Sequence, residues 1–293
     1  MEDIIIVNEK EFFEKKKRFL ESGSERIHIL ADFDRTLTKA FYKQKKASAI
    51  IQHLRLEKGR YLTEDYAERS HALFDQYHPI EIDPKIPMNE RVEKMVEWWK
   101  AHMDLLIECG LDKTTIKKCI EDTISEDTLC FREGVEDFLS RLKRENVPLV
   151  IITSSLGDLI DEFLSQQNKK SDNVHVIGNR FNFDSKGKAI NIEKIVHIFN
   201  KNEFSTEGLG VHKKLLERKN VILLGGHLGD LGMVDGFPYD DLIKISFLNE
   251  NIQGNLEGYK EAYDVVILND GNFDFVNKLT KELISKKQWG TAP

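Results

Sequence analysis

Six short apolar runs punctuate the chain: RIHILA (26–31), VPLVIIT (147–153), NVHVIG (173–178), NVILLG (220–225), LIKISFL (242–248) and DVVIL (264–268). Most are followed by a turn and a helical pattern, as expected of strands buried on both faces of a parallel sheet. No such run occurs between residues 40 and 130. There the apolar positions recur at spacings of three and four, as in MNERVEKMVEWWKAHMDLLIECG (88–110), which predicts amphipathic helices. Gly110 fits a helix stop and Asp112 the cap of the next helix. Pro79, Pro84 and Pro87 are expected to break this helical stretch midway, and 179–192 reads as a projecting hairpin. The N-terminus opens with a short apolar patch and a charged helix-like stretch, and the tail 286–293 reads as frayed. The pattern predicts an α/β core from residues 1–40 and 131–293, interrupted after its first strand by a helical cap over 41–130.

Composition narrows the class. At 293 residues, 40% hydrophobic and 32% charged, the chain can bury a sizeable core and has the make-up of an ordinary globular protein. A net charge of −7 argues against a broad nucleic-acid surface, while leaving room for a locally basic pocket that takes a small anion. Cys109, Cys119 and Cys130 are too few for a disulfide framework, and none forms a CxxC pair. The first residues lack a basic start and a long apolar core, and no run approaches the ~20 apolar residues of a membrane span. A cytoplasmic protein without a membrane partner is expected.

The chemistry begins at HILADFDRTLTKAF (28–41), where a buried-looking strand ends in Asp32 and Asp34. In an open α/β sheet, ligands bind beyond the carboxyl ends of the strands. Two carboxylates there, two residues apart, allow one to attack phosphorus while the other gives a proton to the leaving oxygen. Either could instead cap a turn, and DxD alone does not separate these readings. The longer string DFDRTLT does, because it resembles the first motif of haloacid-dehalogenase-type (HAD) phosphohydrolases. Three further elements follow in that superfamily's order. They are Thr153 at the end of LVIITSS, Lys201 in HIFNKNE, and the stretch VILLGGHLGDLGMVDG.

The pattern is narrower than the superfamily. YHPIEIDPKIP, MVEWWKAHMDLL, HIFNKN and NVILLGGHLGDLGMVDG resemble the cytosolic pyrimidine 5′-nucleotidase (cytosolic 5′-nucleotidase III) family and its 7-methylguanosine-phosphate-preferring relatives, from about residue 28 to 284. The resemblance implies a Rossmann-like core with a helical cap. It also implies hydrolysis of a nucleoside 5′-monophosphate through an aspartyl-phosphate. Asp32 would be the nucleophile and Asp34 the acid/base. Thr153, Ser154 and Lys201 would hold the phosphate, and Asp32, Asp34 and Asp230 would hold Mg²⁺. Glu97 and Trp98 on the cap helix, with Tyr77 opposite, would contact the base. "EWW" on an amphipathic helix is equally a packing pattern. A monomer or weak homo-oligomer is expected, with no nucleic acid polymer as partner.

One departure bears on activity. The family's fourth motif carries Gly-Asp-Ser-x-Gly-Asp, whereas this chain has GGHLGD, so Gly226 stands where a metal-binding aspartate is expected. Three readings follow: Asp230 or its water fills the gap; His227 turns in and favours Mn²⁺ over Mg²⁺; or catalysis is lost and nucleotide binding remains. The loop Thr153-Ser154-Ser155, in place of the usual Ser-Ala-Gly, is a second departure. Within enzymes, the alternative is a phosphatase for another small phosphomonoester.

Overall fold

The computed structural model describes residues 3–202 and 210–284. The tail 286–293 lies outside the described residues. Six strands form the parallel part of one sheet: β2 (Ile27–Ala31), β5 (Leu149–Leu156), β6 (Val174–Asn179), β9 (Asn220–Gly225), β10 (Asp241–Leu248) and β11 (Val265–Leu268). Their spatial order is β11-β10-β9-β2-β5-β6. β1 (Ile4–Ile6), the short apolar patch of the sequence, pairs antiparallel with β11 as an edge strand. The helical insertion therefore follows the first parallel strand but the second strand of the chain.

Every residue of β2 is buried, as a mainly apolar strand covered on both sides requires, and the one polar member, His28, is bonded through Nδ1 to the Arg218 carbonyl. Ile27 and Ile29 face a cluster with Phe12 and Phe19 of α1 (Glu9–Ser22), Phe138 of α5 (Val135–Arg144), Phe163 of α6 (Gly157–Gln166) and Val276 of α9 (Asp274–Ile284). Leu30 faces the other way, with Leu215 of α7 (His212–Leu216) and Tyr259 of α8 (Ile252–Ala262). The alternation of neighbouring residues between two cores is the period of a strand.

The stretch between β2 and β5 holds the small hairpin of β3 (Phe41–Tyr42) and β4 (Lys45–Lys46), a 3₁₀ segment Ile50–Arg55, and three helices. These are α2 (Tyr66–Ile82), α3 (Met88–Glu108) and α4 (Lys113–Ser125). Pro79 does not break the stretch: it sits inside α2, within a turn of its end, where only a short piece of helix follows. The break falls at 83–87, and Pro87 immediately precedes α3. Gly110 turns the chain at φ 88°, and Asp112 caps α4 by accepting from the Thr115 amide at 2.6 Å. Met103 and Leu106 of α3 and Ile116 and Ile120 of α4 join the cluster beneath the sheet, so the insertion is packed against the core. The hairpin of β7 (Phe181–Phe183) and β8 (Ala189–Ile192) is antiparallel, as its sequence predicts.

Candidate active site

In chain order the six parallel strands read 3-2-1-4-5-6 across the sheet, so the order reverses between β2 and β9. A crevice opens there beyond the carboxyl ends. Asp32 directly follows β2, and its amide donates to the Leu224 carbonyl of β9 at 3.0 Å. Beyond it Phe33–Leu37 forms a wide helical turn in which Arg35 adopts φ 61°, a left-handed conformation that a non-glycine residue holds only when its surroundings impose it. The imposing groups are visible. The Arg35 carbonyl accepts from Arg132 Nη2 at 2.7 Å and Asn249 Nδ2 at 3.0 Å. Arg132, only 1% exposed, also bonds the Thr36 and Gly271 carbonyls and pairs with Asp270 at 2.7 Å.

Three charges meet below this turn. The Lys201 ammonium sits between Asp32 Oδ1 and Asp230 Oδ1, the latter at 2.8 Å. The lysine and Asp230 side chains are 3% and 2% exposed, so each charge depends on the others for compensation. Burial opposes the lysine charge, but the two carboxylates outweigh it and hold its pKa above the ordinary value. Burial raises the Asp32 pKa, with Lys201 pulling against it. Asp34 is pushed up to about 7, by burial first and the Asp32 charge second. Its Oδ1 accepts from the Ile50 amide at 2.8 Å, so it also caps the 3₁₀ segment leading into the helices.

Thr153, Ser154 and Ser155 at the end of β5 line the same cavity of about 560 Å³ as Asp32, Asp34 and Lys201. Thr153 Oγ1 accepts from the Ser155 amide at 3.0 Å. The Ser155 hydroxyl is buried and among the described residues has no hydrogen-bond partner, a costly state that a ligand oxygen would relieve. Its unusual position in the motif was the only signal for it in the sequence. Arg132 gave none, because its contacts span about a hundred residues.

Residues that could hold a metal are few. Both Asp230 oxygens are engaged, Oδ1 by Lys201 and Oδ2 by the Gly226 and His227 amides at 2.8 and 3.0 Å. His227 Nδ1 accepts from the Gly229 amide at 3.0 Å. A Cβ at Gly226 would stand 2.9 Å from Thr36 Oγ1, so the bare backbone is packed directly against the turn. Among the described residues no group of three or more His, Cys, Asp or Glu side chains is arranged around a common point. The donor set fits an open, water-rich Mg²⁺ held by one or two carboxylates and completed by substrate phosphate, rather than a protein cage.

The expected base contacts separate. Trp98 lines the cavity beside Trp99, Phe74 and His102. Tyr77 is buried behind Trp98, stacked on it at 6.1 Å with rings 7° from parallel. Glu97 lies outside the cavity wall, half-exposed and paired with Lys94 at 2.8 Å. Arg55 and Ser70, which the sequence did not mark, line the wall.

The mainly parallel sheet, with the acidic pair at its reversal point, has a HAD-like fold. Fold likeness extends to a HAD-family hydrolase from Salmonella enterica serovar Typhi, with TM-score 0.53 at 16% identity over 89% of this chain and 72% of that one. The chain belongs to the pyrimidine 5′-nucleotidase (UMPH-1) family of phosphoric monoester hydrolases, whose model matches residues 35–284. It is 32% identical to the human 7-methylguanosine phosphate-specific 5′-nucleotidase over 264 residues, 89% of this chain and 86% of the relative. It is 30% identical to the Xenopus laevis form A over 93% of both. The crystal structure of cytosolic 5′-nucleotidase IIIB bound to cytidine superposes with TM-score 0.85 at 26% identity, covering 97% of this chain and 94% of that one. No helix among the described residues is long and apolar enough to cross a membrane.

Proposed function

We propose that the chain hydrolyses nucleoside 5′-monophosphates to nucleoside and phosphate, in the cytoplasm, through a phosphorylated Asp32. The observation that carries this reading is the convergence of Asp32, Thr153 and the Lys201–Asp230 pair from separate segments onto one cavity. Lys201, the Thr153 hydroxyl and the Ser154 and Ser155 groups bind the phosphate and spread its charge. An Asp32 oxygen attacks phosphorus in line. As the Asp32–phosphorus bond forms, the phosphorus–O5′ bond breaks and its electron pair stays on O5′, which takes the proton held by Asp34. A pKa of about 7 suits that donor, since an ordinary aspartate would already be ionised. The Asp34 carboxylate then takes a proton from the water that attacks phosphorus, releasing phosphate and restoring Asp32.

Phosphatases of this fold generally use Mg²⁺, and here the Asp32 carboxylate, the Asp34 carbonyl and Asp230 are the residues that would hold it. When bound it supplies charge neutralisation at the phosphoryl oxygens. The helices of 41–130 serve as a cap that encloses the base and excludes water. Gly226 weakens the metal site without removing the nucleophile, the acid or the phosphate contacts, which favours a working enzyme over a silent binder.

The test is phosphate release from CMP, UMP, GMP and 7-methyl-GMP with Mg²⁺ or Mn²⁺. Metal-dependent release is expected, lost by more than ~10³-fold in Asp32→Asn because no nucleophile remains. Release that survives Asp32→Asn, or none from any nucleotide, would overturn the reading.

A further inference from the structure

The two arms read above as phosphate ligands come from different parts of the chain, and one buried side chain joins them. β5 pairs with β6 in register up to Ile152 and Ile177, and the pairing resumes only at Leu156 and Asn179. Thr153, Ser154 and Ser155 therefore stand opposite Gly178 alone. This bulge interrupts the ladder and turns the three hydroxyl residues to the cavity wall. Gly178 leaves the room for it, since a Cβ there would lie 2.7 Å from Thr153 Cγ2 and 3.2 Å from the Ser155 carbonyl oxygen.

The second arm, Lys201, belongs to no strand or helix. The chain leaves β6, runs through the β7–β8 hairpin and returns along the irregular stretch 193–201. The far end of the hairpin is bonded between α3 and α4, where the Lys113 amide donates to the Gly187 carbonyl at 2.9 Å and the Ala189 amide to the Leu111 carbonyl at 3.0 Å. Its near end is closed by Asn179, the last residue of β6, which is 0% exposed. Asn179 Oδ1 accepts from the Val196 amide at 2.9 Å, while Nδ2 donates to the Val196 carbonyl at 2.8 Å and to the Ser154 carbonyl at 2.7 Å. A side-chain amide supplies the acceptor and both donors that this junction needs. Beyond Val196, Asn200 accepts from the His197 amide at 2.6 Å and donates to the Ile195 carbonyl at 2.9 Å, which brings Lys201 in between Asp32 and Asp230.

Resting on the nucleotidase reading above, we propose that Asn179 is a positioning residue: it fixes the Thr153–Ser155 bulge and the Lys201 stretch at one spacing and so sets the affinity for the phosphoryl group. Enclosed as it is, it touches no substrate. A bound phosphate must meet the Thr153 hydroxyl and the Lys201 ammonium at once, and a shift of ~1 Å in one arm against the other costs up to ~10²-fold. The opposite wall, with Arg55, Phe74, Trp98 and Trp99, is supplied by the helical insertion and lies outside this network. Asn179 therefore acts on the phosphate end of the cavity and not on the nucleoside end.

Binding of inorganic phosphate tests this without turnover. Calorimetric titration in the presence of Mg²⁺ gives dissociation constants for phosphate and for the nucleosides cytidine and 7-methylguanosine. Asn179→Ala is expected to weaken phosphate binding by ~10-fold or more and to leave nucleoside binding within ~2-fold, because only the spacing of the phosphate arms is released. A general loss of structure would weaken both. Asn179→Ser, whose hydroxyl keeps part of the junction, should fall between the two and carries the test if the alanine variant fails to fold. Phosphate binding unmoved in a folded variant, nucleoside binding weakened as much as phosphate binding, or a natural chain that binds no phosphate overturns the inference. Phosphate binding that depends on Asn179, in a natural chain that releases phosphate from no nucleotide, would instead overturn the nucleotidase reading and leave the role of Asn179 standing.

Discussion

Gly226 changes the chemistry of the site by omission. Its amide bonds Asp230 and its carbonyl accepts from Tyr259 at 2.9 Å, so its backbone is held while its side-chain position is filled by Thr36. An aspartate there would add a carboxylate where the donor set is poorest, but only if Thr36, which donates to Asp32 Oδ2 at 3.2 Å, gives way. Gly226→Asp is therefore expected to lower the Mg²⁺ concentration for half-maximal activity by ~10-fold or more. The same change should cost ~1–3 kcal/mol of stability through overpacking. Metal titration and thermal melting of the variant read the two effects separately. An unchanged metal requirement would mean that the carboxylate does not reach the ion.

At the scale of the element, the turn Phe33–Leu37 puts Asp32 and Asp34 to use, and a distant residue holds it. Arg132 bonds the Arg35 and Thr36 carbonyls and compensates Asp270, whose carboxylate also accepts from the Ala40 and Phe41 amides at 2.8 and 3.1 Å. Replacing it with methionine keeps volume but strands a largely buried carboxylate and takes a donor from the Arg35, Thr36 and Gly271 carbonyls. A loss of ~3–5 kcal/mol is expected in urea denaturation, accompanied by reduced activity. Lysine should recover only part of the loss, because a single ammonium cannot reproduce the fork of the guanidinium. A methionine variant within ~1 kcal/mol of the natural chain would show that the turn holds itself.

Across the whole molecule, three buried histidines tie stability to pH. His53, His102 and His197 are each pushed down to about 4 from an ordinary 6.5, with burial the leading cause. The unfolded chain takes up these protons first, so stability present above 6.5 is lost as pH falls through 4, by up to ~3 kcal/mol per histidine. Asp34 acts oppositely. Its folded pKa of about 7 exceeds the ordinary 3.8, so acidification through that range favours the folded state. The histidine contribution is thus read as a difference: relative to the natural chain, His102→Gln should gain stability as pH falls from 6.5 to 4. Parallel melting curves with no such divergence would count against a buried neutral His102.

The sheet was legible because strands buried on both faces must be mainly apolar, and those runs stand out from the helical spacing around them. Asp32, Asp34, Thr153, Lys201 and Asp230 were legible because they lie at the ends of such runs or in motifs of fixed order. Their neighbours were not. Arg55 lies in an unremarkable polar stretch, and only the fold brings it to the cavity wall beside Ser70. Glu97 and Trp98 are adjacent in sequence, yet the helix turns one outward to Lys94 and the other into the cavity. Local pattern determined the elements and the residues at strand ends, since backbone geometry and burial act over a few positions. Tertiary structure alone decided which side chains share a cavity and which charges compensate one another, because those depend on segments that meet only after the chain has folded.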